Sequence, residues 1–178
     1  EIRVYQILND AISIGPSIRV LPNSNQQDEI VLVRNPLNAN IMFGSSNSTV
    51  GSTYGQGAYI TTNGGVTWTG TDILPSFSFY TSDPGPCIDK NGTIIMTTLN
   101  TNSTARMYSS YTTNNGATWS TALMMSSASA DKNFAASDDA PSSAFYGRSY
   151  AVWSNFALGS PPIVIAHTTD GAATWSSV

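Results

Sequence analysis

Apolar residues in this chain come in short runs separated by polar, turn-prone stretches. Ile30-Val31-Leu32-Val33 and Ile163-Val164-Ile165 are strand-sized, and no segment sustains the 3.6-residue period of an amphipathic helix. In order, the pattern predicts an opening strand over Ile2–Leu8, a Gly15-Pro16 break and a polar connector over Pro22–Gln27. Strands are then predicted over Glu29–Arg34, Ile41–Ser46 and Ala58–Thr62, with a loose Ser/Thr/Gly loop before the third. The plan recurs over Pro86–Asp89, Thr93–Leu99 and Arg106–Thr113, and again over Phe134–Ser137, Ser149–Ser154 and Pro162–Thr169. Turn formers such as Asn35-Pro36 and Lys90-Asn91-Gly92 separate them.

Each third strand runs into an octapeptide. The copies read TTNGGVTW from Thr61, TTNNGATW from Thr112 and TTDGAATW from Thr168. A recurrence at about fifty residues marks a repeat architecture. The expected division is 1–27 for the opening strand and connector, then blades over 28–75, 76–127 and 128–178. Four short antiparallel strands per repeat, arranged radially, make a β-propeller blade. The expected fold is therefore all-β: a β-propeller of four-stranded antiparallel blades, three present here as part of a larger ring of six to eight.

Within the octapeptide, Asn63, Asn114 and Asp170 are expected to accept turn amides in an Asx turn. Gly65, Gly116 and Gly171 are expected to supply positive φ. Thr61, Thr112 and Thr168 bond back across the loop. Trp68, Trp119 and Trp175 lay a large apolar face over the hairpin or the neighbouring blade. The pattern resembles the Asp-box, or bacterial neuraminidase repeat, of sialidases and other secreted propellers. It departs in having Asn for Asp in two copies and Gly171-Ala172 in the third. The resemblance implies a propeller with these residues on the outer part of the blade, away from the ligand face. For a sialidase it also implies three arginines, a Tyr–Glu nucleophile pair and an aspartic acid/base. The element around Arg19 lacks the expected Arg-Ile-Pro order, Arg34, Arg106 and Arg148 fall in different repeats, and Glu1 and Glu29, the two glutamates, adjoin no tyrosine suited to that role.

Composition narrows the function classes. Of 178 residues, 40% are apolar, enough for a core, and only 10% are charged, with a net charge of −4. Seven Lys and Arg together cannot track a phosphate backbone, and no apolar run approaches the ~20 residues of a membrane span. Cys87, the single cysteine, reads as a small buried apolar group. His167 aligns with Ile60 and Tyr111, which marks a structural strand position. The chain opens at Glu1, so either a leader has been removed or the sequence belongs to something longer; closing a ring needs the rest of a longer chain or a second copy.

The least ordinary polar pattern is an acid at each repeat's opening. Asp28, Glu29, Asp83 and Asp131, with Asp138 further along the third repeat, are candidate ligand-binding residues at a channel mouth. Solvated turn-capping carboxylates are the competing reading. The pattern includes a possible Ca²⁺ site at Asp83 and Asp131, since Ca²⁺ takes carboxylate and carbonyl oxygens; no other metal or cofactor is expected. Tyr54, Phe77, Phe79, Tyr80, Phe145, Tyr146 and Phe156 fall on connections, suited either to stacking on sugars or to inter-blade packing. The expectation is an exported, secreted or cell-surface propeller module without catalysis, binding glycans or cell-surface proteins in adhesion. The alternative is a glycoside hydrolase, sialidase-like or glucan-degrading, whose site is completed by other blades.

Overall fold

A computed structural model describes residues 17–177; the expected strand over Ile2–Leu8 lies outside the described residues. Those residues form strands, turns and bends, without a helix. Strands β1 (Gln26–Arg34), β2 (Met42–Val50), β3 (Thr53–Thr61) and β4 (Thr69–Thr71) make one antiparallel sheet in sequence order. Strands β5 (Thr81–Ile88), β6 (Ile94–Asn100), β7 (Arg106–Thr112) and β8 (Leu123–Ser126) make a second. Strands β9 (Ala130–Ser137), β10 (Ser149–Asn155) and β11 (Ile163–Thr168) make a third. These are blades of a partial propeller. The first two have four strands as expected. The third has three among the described residues, because no strand follows its octapeptide there.

The first strand of each blade lies innermost: β1 sits against β5 and β5 against β9. The core lies between the sheets. Along β6, alternate side chains serve different junctions. Ile94 and Met96 join Phe43, Ala58, Leu74 and Phe77 toward the first blade. Leu99 joins Met107, Ala151, Trp153 and Ala166 toward the third, while Ile95 packs with Cys87, Ala172 and Trp175. A strand covered on both faces has no polar side, so Ile94 to Leu99 are all buried. Cys87 is buried within this packing, and loss of solvation pushes its thiol up to about 11.

The first blade is built differently. Its stretch from Asn47 to Gly57, expected as a loop, is instead the far halves of β2 and β3 joined by a tight turn. Ser45, Ser46, Ser48 and Gln56 are buried there. The Tyr59 hydroxyl meets those of Ser46 and Ser48 and donates to Asp72 at 2.9 Å. Asp72 also accepts from Asn23, Asn25 and Gln27, which fastens the connector to the blade. Burial alone would raise the Asp72 carboxyl; the donors Asn25, Gln27, Tyr59 and Asn23 outweigh it and hold the group below its ordinary range.

Candidate functional site

Each innermost strand breaks its ladder at the same register. The irregularity falls between Asp28 and Val31 on β1, between Ser82 and Gly85 on β5, and opposite Val152 to Ser154 on β9. In each bulge one non-glycine residue takes a left-handed backbone: Glu29 at φ 48°, Asp83 at φ 57° and Lys132 at φ 51°. That conformation costs a side-chain-bearing residue roughly 1–2 kcal/mol, and strain of this kind collects where side chains must be aimed. The equivalent positions are thus Glu29, Asp83 and Lys132. The series Asp28, Asp83, Asp131 expected from sequence is out of step by one residue, because Asp28 and Asp131 match Ser82.

The three bulges meet. Lys132 Nζ lies 3.7 Å from Glu29 Oε2, and its backbone N–H donates to Asp83 Oδ2 at 3.1 Å. The Asp83 N–H donates to Asn47 Oδ1 at 2.9 Å, while Asn47 Nδ2 donates to Glu29 Oε2 at 2.9 Å. Gln56 also donates to Asn47 Oδ1, leaving its own buried Oε1 without a partner. Beneath Lys132, buried Asn133 donates to Thr97 and likewise leaves Oδ1 unpartnered. Asn133 fits because Gly85 has no side chain: a Cβ there would collide with Asn133 Nδ2 and Thr97 Oγ1.

Burial raises the Asp83 carboxyl; the Lys132 charge opposes this and the charges of Glu29 and Asp131 add to it. The structure therefore brings Glu29 and Asp83 together, leaves Asp131 exposed and near enough only for its charge to act on Asp83, and supplies Lys132, Asn47 and Gln56, which the sequence pattern does not single out. The one available signal is a charged residue recurring where each inner strand opens. Asp28 is exposed and accepts from Gln26 on its own strand. Asp138 sits past the opposite end of β9, where it accepts from Ser143 and the Ala140 N–H, a turn-closing role. It does not join the channel-mouth group. Among the described residues no three or more His, Cys, Asp or Glu side chains gather as metal ligands. The arrangement alternates carboxylate acceptors with an ammonium and amide donors.

The octapeptides close hairpins at the other end of the blades. Thr61 Oγ1 donates to Asn63 Oδ1 and accepts the Gly65 N–H, and Asn63 Oδ1 accepts the Thr67 N–H. Thr112 and Asn114 repeat this set, as do Thr168 and Asp170. The turn needs two successive positive-φ residues. The position of Gly65 and Gly116 is filled by Ala172 at φ 73°; Gly171 is one residue earlier and matches Gly64 and Asn115. Each later tryptophan crosses to the blade before it. Trp119 packs on Phe43 with centroids 5.6 Å apart, and Trp175 Nε1 donates to Ser109 Oγ at 2.9 Å.

The remaining candidates disperse. Arg34 and Arg148 lie toward the octapeptide end and Arg106 opens an outer strand at the bulge end, so these arginines form no clamp. His167 pairs with Tyr150 across β10 and β11. Phe77 and Phe79 pack into the first junction, Tyr54 and Tyr80 form a half-exposed edge-to-face pair, and Phe145 and Tyr146 sit under Arg148 and Lys90. Phe156 is half-exposed on the connection after β10. No helix among the described residues is long and apolar enough to cross a membrane.

The fold defined by these blades is similar to that of a sialidase. The Hadza microbial sialidase Hz136 superposes with a TM-score of 0.60 at 11% identity, over 86% of this chain and 33% of that one. A protein of unknown function from Dyadobacter fermentans DSM 18053 superposes with a TM-score of 0.44 at 12% identity, over 86% of this chain and 68% of the other. No family pattern and no curated protein matches the sequence. The chain has a sialidase-like propeller fold and spans about a third of the sialidase it resembles.

Proposed function

We propose that this chain is the ligand-holding part of an exported or cell-surface sialidase-like propeller that binds carbohydrate at the bulge end of its inner strands. The observation that carries the reading is the convergence of Glu29, Asp83 and Lys132, each held in a strained backbone at one register, beside Asn47 and the unpartnered Gln56 oxygen. Paired acceptors and donors on a rigid strand framework suit sugar hydroxyls. The octapeptides, resembling Asp-boxes, serve as hairpin clamps remote from that end.

The test is a glycan array followed by calorimetry on the best ligand. Asp83→Asn and Glu29→Gln are each expected to weaken binding at least tenfold, about 1.4 kcal/mol, with the fold intact by circular dichroism. Unchanged affinity in both variants overturns the reading. A glycoside hydrolase reading is favoured by one observation, the placing of two carboxyls, Asp83 and Glu29, in one cluster through Lys132 and Asn47, since glycoside hydrolysis uses a pair of carboxyl groups. Turnover of fluorogenic sialosides or β-glucans, abolished by Asp83→Asn, supports it; binding without turnover supports the non-catalytic role.

A further inference from the structure

The junction between the first and second blades departs from the one between the second and third, and the departures gather at the bulge end. The octapeptide register sets Tyr54 and Gln56 on β3 level with Ala105 and Met107 in the next blade. The bulges set Tyr80 level with Ser129, and the two carbonyls accept matching amides, from Thr101 and Phe156, each at 2.8 Å. At the second junction Leu99 and Met107 share an apolar core with Trp153, and the small Ala105 and Ser129 stand above them. A junction of this fold therefore closes without an aromatic pair. At the first junction the matching places hold Asn47 and Gln56, and above them Tyr54 and Tyr80, 56% and 42% exposed. Packing between blades does not call for two tyrosines left half in water.

Their rings meet edge to face, with centroids 5.7 Å apart at 79°. Such a pair offers a ring face and a ring edge side by side. They border a groove of about 560 Å³ with Ile73, Phe79 and Asn102, so both of its walls belong to described blades. The Tyr80 N–H donates to Asn102 Oδ1 at 2.6 Å, which fixes Tyr80 and leaves Nδ2 of the exposed Asn102 as a donor. Tyr54 shares a face of β3 with Gln56, two residues or roughly 7 Å along the strand. Tyr80 lies three residues before Asp83. The groove thus adjoins the carboxylate and amide cluster.

We infer that Tyr54 and Tyr80 form a sugar subsite, stacking on one pyranose unit while the neighbouring unit occupies the cluster of Glu29, Asp83 and Lys132. This rests on the carbohydrate reading of that cluster and narrows the ligand to a β-linked oligosaccharide. A pyranose with every hydroxyl equatorial, as in β-glucose, has faces of bare C–H groups and a polar rim. A tyrosine ring receives the face at little cost in side-chain entropy, and Asn102 meets the rim.

Calorimetry of the intact chain with β-1,4-linked glucose oligomers of one to six units tests it, with NMR titration for the weakest. Affinity is expected to rise from the single sugar to the longer oligomers. Tyr54→Ala and Tyr80→Ala should each weaken the longer oligomers about fivefold or more and leave glucose unchanged, with thermal melts confirming folded protein. Tyr54→Phe keeps the ring and should keep the gain, whereas Glu29→Gln should weaken every length. Affinity that does not grow with length, or that ignores both alanine variants, overturns the subsite. If Glu29→Gln still weakens binding in that case, the cluster stands without it. Binding lost in the tyrosine variants alone overturns the cluster reading and the joint site with it. No binding at any length overturns the subsite and leaves the cluster to the other glycans of the array.

Discussion

Asn and Asp are interchangeable in the octapeptide because the last hydrogen bond can run either way. Asn63 Nδ2 and Asn114 Nδ2 donate to the hydroxyls of Thr67 and Thr118, whereas the Thr174 hydroxyl donates to Asp170 Oδ2. One proton reverses and the loop stays closed. Asp170→Asn should therefore change stability at neutral pH by no more than about 0.5 kcal/mol, read as a denaturant midpoint. The Thr174 hydroxyl, with the Thr174 and Asp170 amides and Thr168, holds the Asp170 carboxyl below its ordinary value. Its contribution is complete above that ordinary value and disappears as pH falls through the lowered one. Asp83 has the opposite sign. Its carboxyl is raised by burial, so the folded protein resists ionising it and loses stability as pH climbs from the ordinary value through the raised one. Asp83→Asn should raise the melting temperature at neutral pH, with the gain vanishing in acid below the ordinary aspartate range. Ala172 sets two effects against each other. Its positive φ costs roughly 1–2 kcal/mol, while its buried methyl contributes roughly 0.8 kcal/mol. Ala172→Gly should come out near neutral or slightly stabilising in a chemical melt.

At the scale of elements, the sequence is legible where alternation is clean and misleading where the chain breaks its own pattern. Strands β6, β7, β10 and β11 can be placed within a residue or two, for their apolar positions and flanking turns agree. The apolar pattern starts inner strands β5 and β9 at Pro86 and Phe134, whereas they begin at Thr81 and Ala130. In both cases the missing portion contains the bulge, which resets the two-residue period and hides the residues before it. The short β4 carries no apolar signal, and the four residues of β8 are too few to show a period. The polar halves of β2 and β3 resemble loop in sequence because their interior is filled by Ser46 and Ser48, bonded to each other and to Tyr59, and by Gln56 bonded to Asn47, not by aliphatic groups. The candidate site is thus partly visible as acids, yet out of register and without its lysine. Gly85 is the residue on which the cluster's floor depends. Gly85→Ala should displace Asn133, cost about 1–3 kcal/mol by overpacking, and lower ligand affinity along with the melting temperature.

For the whole molecule, the octapeptides reveal the fold almost completely, because a turn repeated in register dictates where each hairpin closes. They reveal nothing of the candidate site, which lies at the opposite end of the blades. They also make the three tryptophans unequal, although the local sequences match. Trp175 is seated on the second blade and bonded to Ser109, so Trp175→Ala should cost several kcal/mol, toward the ~3–5 kcal/mol typical of large core truncations. Trp68→Ala should cost the isolated chain much less, a contrast that equilibrium unfolding at low protein concentration reads directly.

That backward reach of the tryptophans gives assembly a direction. A blade's inner strands are made before its octapeptide, and the octapeptide then fastens the blade to one already complete. A chain leaving the ribosome from its amino end can thus lock each junction as soon as the later tryptophan emerges, while the remaining blades are still unmade. Synthesis and closure run the same way, so each junction between these blades is fastened behind the growing end.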